Sequence, residues 1–523
     1  MTDKLHTVHV RVNDAATGQP TPVRIHFASP AGTYCAPLGH PPEFATGEGE
    51  DVGGNLLLGS KRYAYIDGTC EIRLPAGPLV IEIHKGTEYK PQHIETVLPE
   101  GKLALRYGVE RWTDLRREGW YSAETRAHYL TPHAALLEGA AEDLAVVNLL
   151  AEAVTVRHCD DGHFFLKTPV AHLPEYPAFP NLLAFSGQQP CLERPGHMVV
   201  VNTHNVHRTL GSVALLHCHR VVHPLVVDWD EGLGDWALAD WCDQCRRKGG
   251  LTVCTSLFDS DFGGQQCYGE ILAALILAKM DAIELDAFSQ VDEKQLEDHW
   301  YTFLNAGCRT PLTGAGGKAS NATLLGAERT YARLRPGEPL TYGAWIEAVR
   351  AGRTFITNGP LLSFTVNGHD PGAIIDLPSL DQPVHIAAEA RSWLPFDQLE
   401  VVLNGNVLLQ AKADGSPTAA RSQAEVRLPE AGWLAARCSG SHTLVTRTGW
   451  VEHVGAHTSP VYVEVGGRPA PADKAAVTKL VDQLTQMLGW VERQGPPGNG
   501  RRHDHIAGIF RSARDVLQRR VAQ

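Results

Sequence analysis

A chain of 523 residues is too long for one ordinary core, and at roughly 100–200 residues per domain it accommodates three or four units. Its 43% hydrophobic and 20% charged residues belong to the globular range, and 50 Gly with 33 Pro point to many turns, which excludes a long-helix protein. The formal net charge of −12 is spread without a basic stripe, so no nucleic-acid partner is expected. The opening MTDKLHTVHVRV alternates and lacks a charged segment followed by an apolar run, and nowhere do about 18 apolar residues follow one another. Neither export nor a membrane span is expected. Eleven cysteines at irregular spacing read as reduced thiols, which fits the cytoplasm.

In chain order, period-2 alternation with turn residues (VHVRV, DAATGQPTP, VRIHF, CEIRLPAG, LVIEIHKGTEY) predicts an N-terminal β-sandwich over 1–110, with Val8, Val10 and Val12 facing inward towards Ile72 and Leu74. From 111 to 364 short apolar runs (LAVVNLLA, HMVVVNT, SVALLH, LTVC, DAIEL) alternate with helical patterns such as DWALADWCDQCRRKGG and GEILAALILAKM. That rhythm predicts βα units closing into an α/β barrel, whose chemistry sits at the carboxyl ends of the strands. Alternation returns in HIAAEA, LEVVLNG, SHTLVTRTG and PVYVEVGG, predicting a C-terminal β-sandwich over 365–468. In the tail, 469–523, Val477, Leu480, Val481, Leu484, Leu488 and Val491 recur at helical spacing, and QGPPGNG separates a final basic helix. These helices are expected to pack on the body, with a partner-binding tail as the alternative.

The segment GWYSAETRAHYLTPHAALLEGAAEDLAVVNLLAE resembles the first strand–helix unit of the carbaryl-hydrolase-type (CehA/McbA) metallohydrolases, a branch of the polymerase-and-histidinol-phosphatase (PHP) superfamily. SGQQPCLERPGHMVVVNT, LADWCDQCRRKGGLTVCTS, YGEILAALILAKMDAIEL, the WYTFLNAGC…YARL block and YGAWIEAVRAGRTFITNGPLL resemble successive family blocks in order. The likeness covers about half the chain. It implies a distorted PHP-like barrel and metal-dependent hydrolysis of ester, carbamate, amide or phosphoester bonds, with a divalent metal (Zn, Mn or Fe) held by imidazoles and carboxylates.

Against that pattern the ligand positions are substituted. The family's first strand ends in His-x-His, whereas Glu124-Thr125-Arg126-Ala127-His128 puts Arg126 at the first imidazole, and a guanidinium cannot ligate a cation. At the acidic ligand's Gly-x-Glu pattern stands Gly187-Gln188-Gln189, a neutral amide where the carboxylate is expected, with His197 falling near a superfamily histidine. Where a His-Pro pair is usual, Cys254, Thr255 and Ser256 stand, and Gly316-Gly317-Lys318-Ala319-Ser320-Asn321 has no acid. The residue reading therefore names Arg126, His128 and Lys318 as candidate catalytic groups and His128, His197, His217 and His219 as candidate metal ligands.

Two functions follow. One is a hydrolase with a reduced metal site. The other is a metal-free pseudoenzyme in which Arg126 and Lys318, with the amides of the GAGGKASN loop, bind a small anionic ligand or serve assembly. Against the latter stands pairing of the two cations with Glu124 or Glu284. A small-molecule ligand is expected in either case, and homo-oligomerisation is left open. The crowd His204, His207, His217, His219 and His223 forms a rival metal site whose nearest carboxylates in sequence are Asp228 and Asp230. Cys242-x-x-Cys245 has redox spacing but lies inside a helical pattern, Cys254 could act as a nucleophile but reads as a buried apolar residue, and His503-x-His505 reads as solvated surface.

Overall fold

The computed structural model describes residues 5–47, 51–152, 157–160, 163–166, 182–227, 236–255, 257, 260–261, 266–290, 295–494 and 500–522. Asp228, Asp230, Ser256 and the side chain of His503 lie outside the described residues.

The alternating N-terminal segments form two facing sheets. One has three strands, with Leu5–Asp14 between Thr69–Pro75 and Ala104–Val109; the other has five, with Val23–Ala28 at its centre. Alternation turns Val8, Val10 and Val12 inward, where they meet Ile72 and Leu74 of the antiparallel neighbour and Ile25, Phe27, Ile81 and Ile83 of the facing sheet. Burying each of these side chains contributes roughly 1.5–3 kcal/mol. The sandwich and the segment after it dock onto the helix Pro132–Ala141 and the turn that follows: Arg24 Nε meets Glu142 at 2.7 Å, and Arg111 and Arg116 both reach the buried Asp143.

The central residues make a curled mixed sheet. Strands Trp120–Ala127, Val146–Ala151 and His197–His207 are parallel neighbours. Gly211–Leu216 then runs antiparallel to His197–His207, Leu251–Cys254 antiparallel to Gly211–Leu216, and Ala282–Glu284 and Leu312–Thr313 continue in parallel. Arg329–Arg333 pairs antiparallel with Trp120–Ala127, and a single bridge between Ala315 and Arg329 joins the two ends of the curl. The segment SVALLH was expected to open a βα unit. It instead returns as a hairpin, because the amides of Thr209 and Leu210 donate to His207 Nδ1 and Gly211 takes φ 124°.

Helices cover the outside. Thr131 caps Pro132–Ala141 by accepting from the Ala134 amide, with Pro132 in its first turn, and Thr341 caps Tyr342–Arg350 in the same way.

The later strands pack as a sandwich in which Phe364, Ile386, Val401, Leu434 and Val461 are buried together. Its hydrogen-bond ladder is continuous with the central sheet, since Thr354–Thr357 pairs with Trp450–Thr458. The terminal helices Lys474–Gln494 and Gly500–Ala522 bury Val477, Leu480, Leu484, Leu488 and Val491 with Ile506, Phe510 and Leu517 against the body. The helical periodicity thus folds back on the core. Among the described residues, no helix is long and apolar enough to cross a membrane.

Candidate metal centre

Register brings three donors together. Leu149 pairs with Ala127 and Ala151 with Thr203, so His128 and Glu152, each just past the end of its strand, emerge beside His204, three residues before the end of the third adjacent parallel strand. His204 Nδ1 lies 3.1 Å from Glu152 Oε2, and His128 Nδ1 lies 3.6 Å from the same oxygen. One potential ligand atom from each of the three lies within 4.8 Å of the others.

Each donor is held from outside. The Tyr129 hydroxyl donates to Glu152 Oε1 at 2.8 Å, and Thr255 Oγ1, itself 3.1 Å from Ser212 Oγ, sits 3.1 Å from His204 Nε2. Such outer partners fix ring orientation and ligand direction. Burial pushes the His128 imidazole down to about 4, and the Leu150 carbonyl accepts a hydrogen bond from the ring. The ring is neutral at pH 7. Its buried Nδ1 has no hydrogen-bond partner, a vacancy that costs about 1–3 kcal/mol. Burial works to raise the Glu152 carboxyl, but the adjacent His128 and His204 rings and the Tyr129 hydroxyl hold it well below the usual carboxylate range.

The donors open into a cavity of about 530 Å³. Among the described lining residues, the guanidiniums of Arg126 and Arg447 face the carboxylates of Glu152, Glu284, Asp286 and Glu452. Burial pushes the Asp286 carboxyl up to about 6 and raises the Glu452 carboxyl as well.

Arg126 lines the cavity two residues before His128, as strand alternation requires. Its Nε sits 2.6 Å from Glu284 Oε1, and Thr125 Oγ1 donates to the other Glu284 oxygen at 3.0 Å. The expected repulsion of a cation is therefore offset by a carboxylate in contact with the guanidinium. Gly317, at φ 61°, leaves room for that group, because a Cβ there would lie 3.0 Å from Arg126 Nη2. Behind it, Glu124 accepts from the amides of Arg126, Gly316 and Gly326, and burial pushes its carboxyl up to about 7.

Lys318 does not reach the cavity. Gly317 and Ala319 line it, so the side chain between them points the other way. Its Nζ donates to the Thr323 carbonyl at 2.9 Å and pairs with Glu138 at 3.3 Å, both side chains being 0% exposed. Only its backbone touches the site, accepting from the His128 amide at 2.7 Å. With Arg126 on Glu284 and Lys318 on Glu138, the two cations expected to bind an anion are already matched.

The other expected ligands stand at the opposite end of the sheet. His197 opens the strand that carries His204 seven residues later, about 23 Å away along a strand, and its Nδ1 bonds the Leu144 carbonyl at 2.7 Å. His217 follows the antiparallel strand Gly211–Leu216 and so falls at the same far end, where Gln188 Nε2 donates to its carbonyl. His219 is exposed and bonds the Lys248 carbonyl. The structure brings none of these three to His128. His207 supports the turn that precedes Gly211, and His505 pairs with Asp240 at 2.9 Å.

The expected acidic position, Gly187–Gln189, is therefore not where the carboxylate lies. Glu152 was missed, although LAVVNLLAE places it directly after an apolar run, the signature of a strand's carboxyl end. His204 was noticed only within a histidine crowd that the fold does not gather.

No family model matches this chain, and no curated protein matches it. Solved structures are similar only weakly. One is PsfC from Pseudomonas syringae PB-5123, 16% identical over 44% of this chain and 88% of that one, with a TM-score of 0.27. Another is the lesion-specific endonuclease PfuEndoQ from Pyrococcus furiosus, 10% identical over 45% and 55%, at 0.27. A third is an Endonuclease Q complex with a 27-mer duplex substrate bearing an abasic lesion at its active site, 11% identical over 45% and 56%, at 0.26. This chain spans little more than half the length of the two endonuclease chains. Similarity at these scores carries no argument about this protein's chemistry.

Proposed function

We propose that this protein is a metal-dependent hydrolase of the PHP, CehA/McbA-like kind, in which His128, Glu152 and His204 hold one divalent ion at the carboxyl ends of the central strands. The observation that carries the reading is the neutral His128 ring, whose buried Nδ1 lacks a partner and lies beside the Glu152 carboxylate and the His204 ring. Two imidazoles and a carboxylate suit Zn, Mn or Fe. Three protein donors leave coordination positions open, the arrangement of catalytic rather than structural sites.

When bound, such an ion lowers the pKa of a water and polarises the scissile bond. The chain's own residues supply the remainder. Tyr129 and Thr255 keep Glu152 and His204 oriented, the Arg126–Glu284 pair fixes a guanidinium at the cavity wall, and Arg447 adds a second cation. Of the two, Arg447, which lines the cavity, is the one placed to bind the polar head of an ester, carbamate, amide or phosphoester. Of the pseudoenzyme alternative, the anion-binding form is the one the pairing of Arg126 with Glu284 and of Lys318 with Glu138 disfavours, while an assembly role does not depend on these cations.

The test is elemental analysis of protein purified without added metal, followed by Mn²⁺ and Zn²⁺ titration calorimetry and assays on nitrophenyl esters and phosphoesters. About one equivalent of metal is expected. His204→Ala and Glu152→Gln should weaken binding by at least about 100-fold, since even outer partners contribute 10–100-fold. Absence of metal in the unmodified protein, or undiminished affinity in His204→Ala, would overturn the reading.

A further inference from the structure

The sequence pairs Cys242 with Cys245 by spacing, but the fold gives Cys245 a different neighbour. Cys218 lies just beyond the strand Gly211–Leu216, and its Sγ is 3.3 Å from the Sγ of Cys245 in the last turn of the helix Leu238–Arg247. Two features hold the sulfurs together. The amide and Nδ1 of His219 both bond the Lys248 carbonyl, at 3.1 and 2.8 Å, which clamps the 217–219 segment to the end of the helix. Gly250 then passes under both thiols, and a Cβ there would lie 2.5 Å from each sulfur, so only glycine lets the two approach over it.

We propose that Cys218 and Cys245 form a dithiol that closes into a disulfide when a low-molecular-weight disulfide is present. Cys218 is 8% exposed and next to the exposed His219, whereas Cys245 is 0% exposed. The outer thiol is therefore the one an oxidant meets. The Cys245 thiol, hydrogen-bonded to Cys218, holds the Cys218 thiol below its ordinary range, with Lys248 acting in the same direction. The hydrogen bond with Cys218 and then burial push Cys245 up. The order of attack follows.

With oxidised glutathione, the Cys218 thiolate attacks one glutathione sulfur, the S–S bond breaks, and one glutathione thiolate leaves and takes up the proton Cys218 gave. Cys245 then loses its proton and attacks Cys218 Sγ, expelling the second glutathione as a thiol. Two electrons and two protons pass to the oxidant. Closing the pair requires the sulfurs to move from 3.3 Å to about 2.05 Å.

Fully reduced protein is incubated with oxidised glutathione, quenched with iodoacetamide and mapped without reduction. The expected product is a peptide joining Cys218 to Cys245, with two of the eleven thiols lost. It should form at least about ten-fold faster in folded than in urea-unfolded protein, because the fold holds the reacting sulfurs in contact. Cys242→Ser should leave the product unchanged, and Gly250→Ala should slow its formation at least ten-fold. Should Gly250→Ala fail to fold, Cys218→Ser and Cys245→Ser, which remove the product, decide the matter. The proposal is overturned if glutathione stays on Cys218 while Cys245 remains alkylatable, if Cys245 pairs with Cys242, or if folding gives no rate advantage.

Discussion

Replacing Lys318 by Met tests whether this residue belongs to the cavity or to the core. Its ammonium is 0% exposed, pairs with Glu138 at 3.3 Å and donates to the Thr323 carbonyl, while the other Glu138 oxygen accepts from the Gly54 amide at 2.8 Å. Lys318→Met keeps the volume but strands the Glu138 carboxylate, and breaking a buried pair from one side costs about 3–5 kcal/mol. The loss depends on pH. Burial already raises the Glu138 carboxyl, and without the ammonium it rises further, so the folded variant carries the full penalty above that raised value. The penalty shrinks as pH falls towards 4.5, where the unfolded carboxyl also takes up its proton. Urea unfolding followed by tryptophan fluorescence at pH 7.5 and pH 5 measures both effects. Lys318→Met with Glu138→Leu should recover most of the loss, and Mn²⁺ affinity should be unchanged in folded Lys318→Met. A loss under about 1 kcal/mol, or a double variant no more stable than the single one, would refute the buried-pair argument.

Arg126→His places a third imidazole two residues before His128 and should tighten Mn²⁺ or Zn²⁺ binding at least about ten-fold by calorimetry; weaker binding would mean that strand alternation does not aim this position at the cluster. Glu328 is 2% exposed, and burial together with Asp286, Glu452 and Glu284 raises its carboxyl well above the usual range. Native protein should therefore lose stability as pH rises above 4.5, where the unfolded carboxyl ionises and the folded one does not. Glu328→Gln should remove part of that slope and be neutral or stabilising at pH 8, measured by thermal midpoint; a destabilised variant there would count against it. Burial pushes His457 down to about 3, so the unfolded chain binds a proton that the folded one refuses between about pH 6.5 and 3. Stability should fall with pH through that window, and His457→Gln, facing the Tyr301 hydroxyl, should flatten the decline in urea titrations.

Much of the architecture was legible because alternation and helical spacing are local. VHVRV reports its own buried face, and the spacing of Val477, Leu480, Leu484 and Leu488 reports a helix with one apolar side. The hairpin at Gly211 was not legible as a reversal, since LGS between two apolar runs fits a tight turn and a crossover alike. That reversal decided the ligands: it sends His217 and His219 to the far end of the sheet, so the histidine crowd in the sequence is not a crowd in space.

Residue chemistry by itself determined that Arg126 cannot be a ligand and that His128 can, and it marked LAVVNLLA as an apolar run of a βα unit. Which donors meet His128 depended on inter-strand register, a long-range property that pairs Leu149 with Ala127 and Ala151 with Thr203. Tertiary structure also decided the fate of the two cations. A side chain's charge can be read from its letter, but whether a carboxylate from a distant segment already matches it, as Glu284 matches Arg126 and Glu138 matches Lys318, is settled only when the chain has folded.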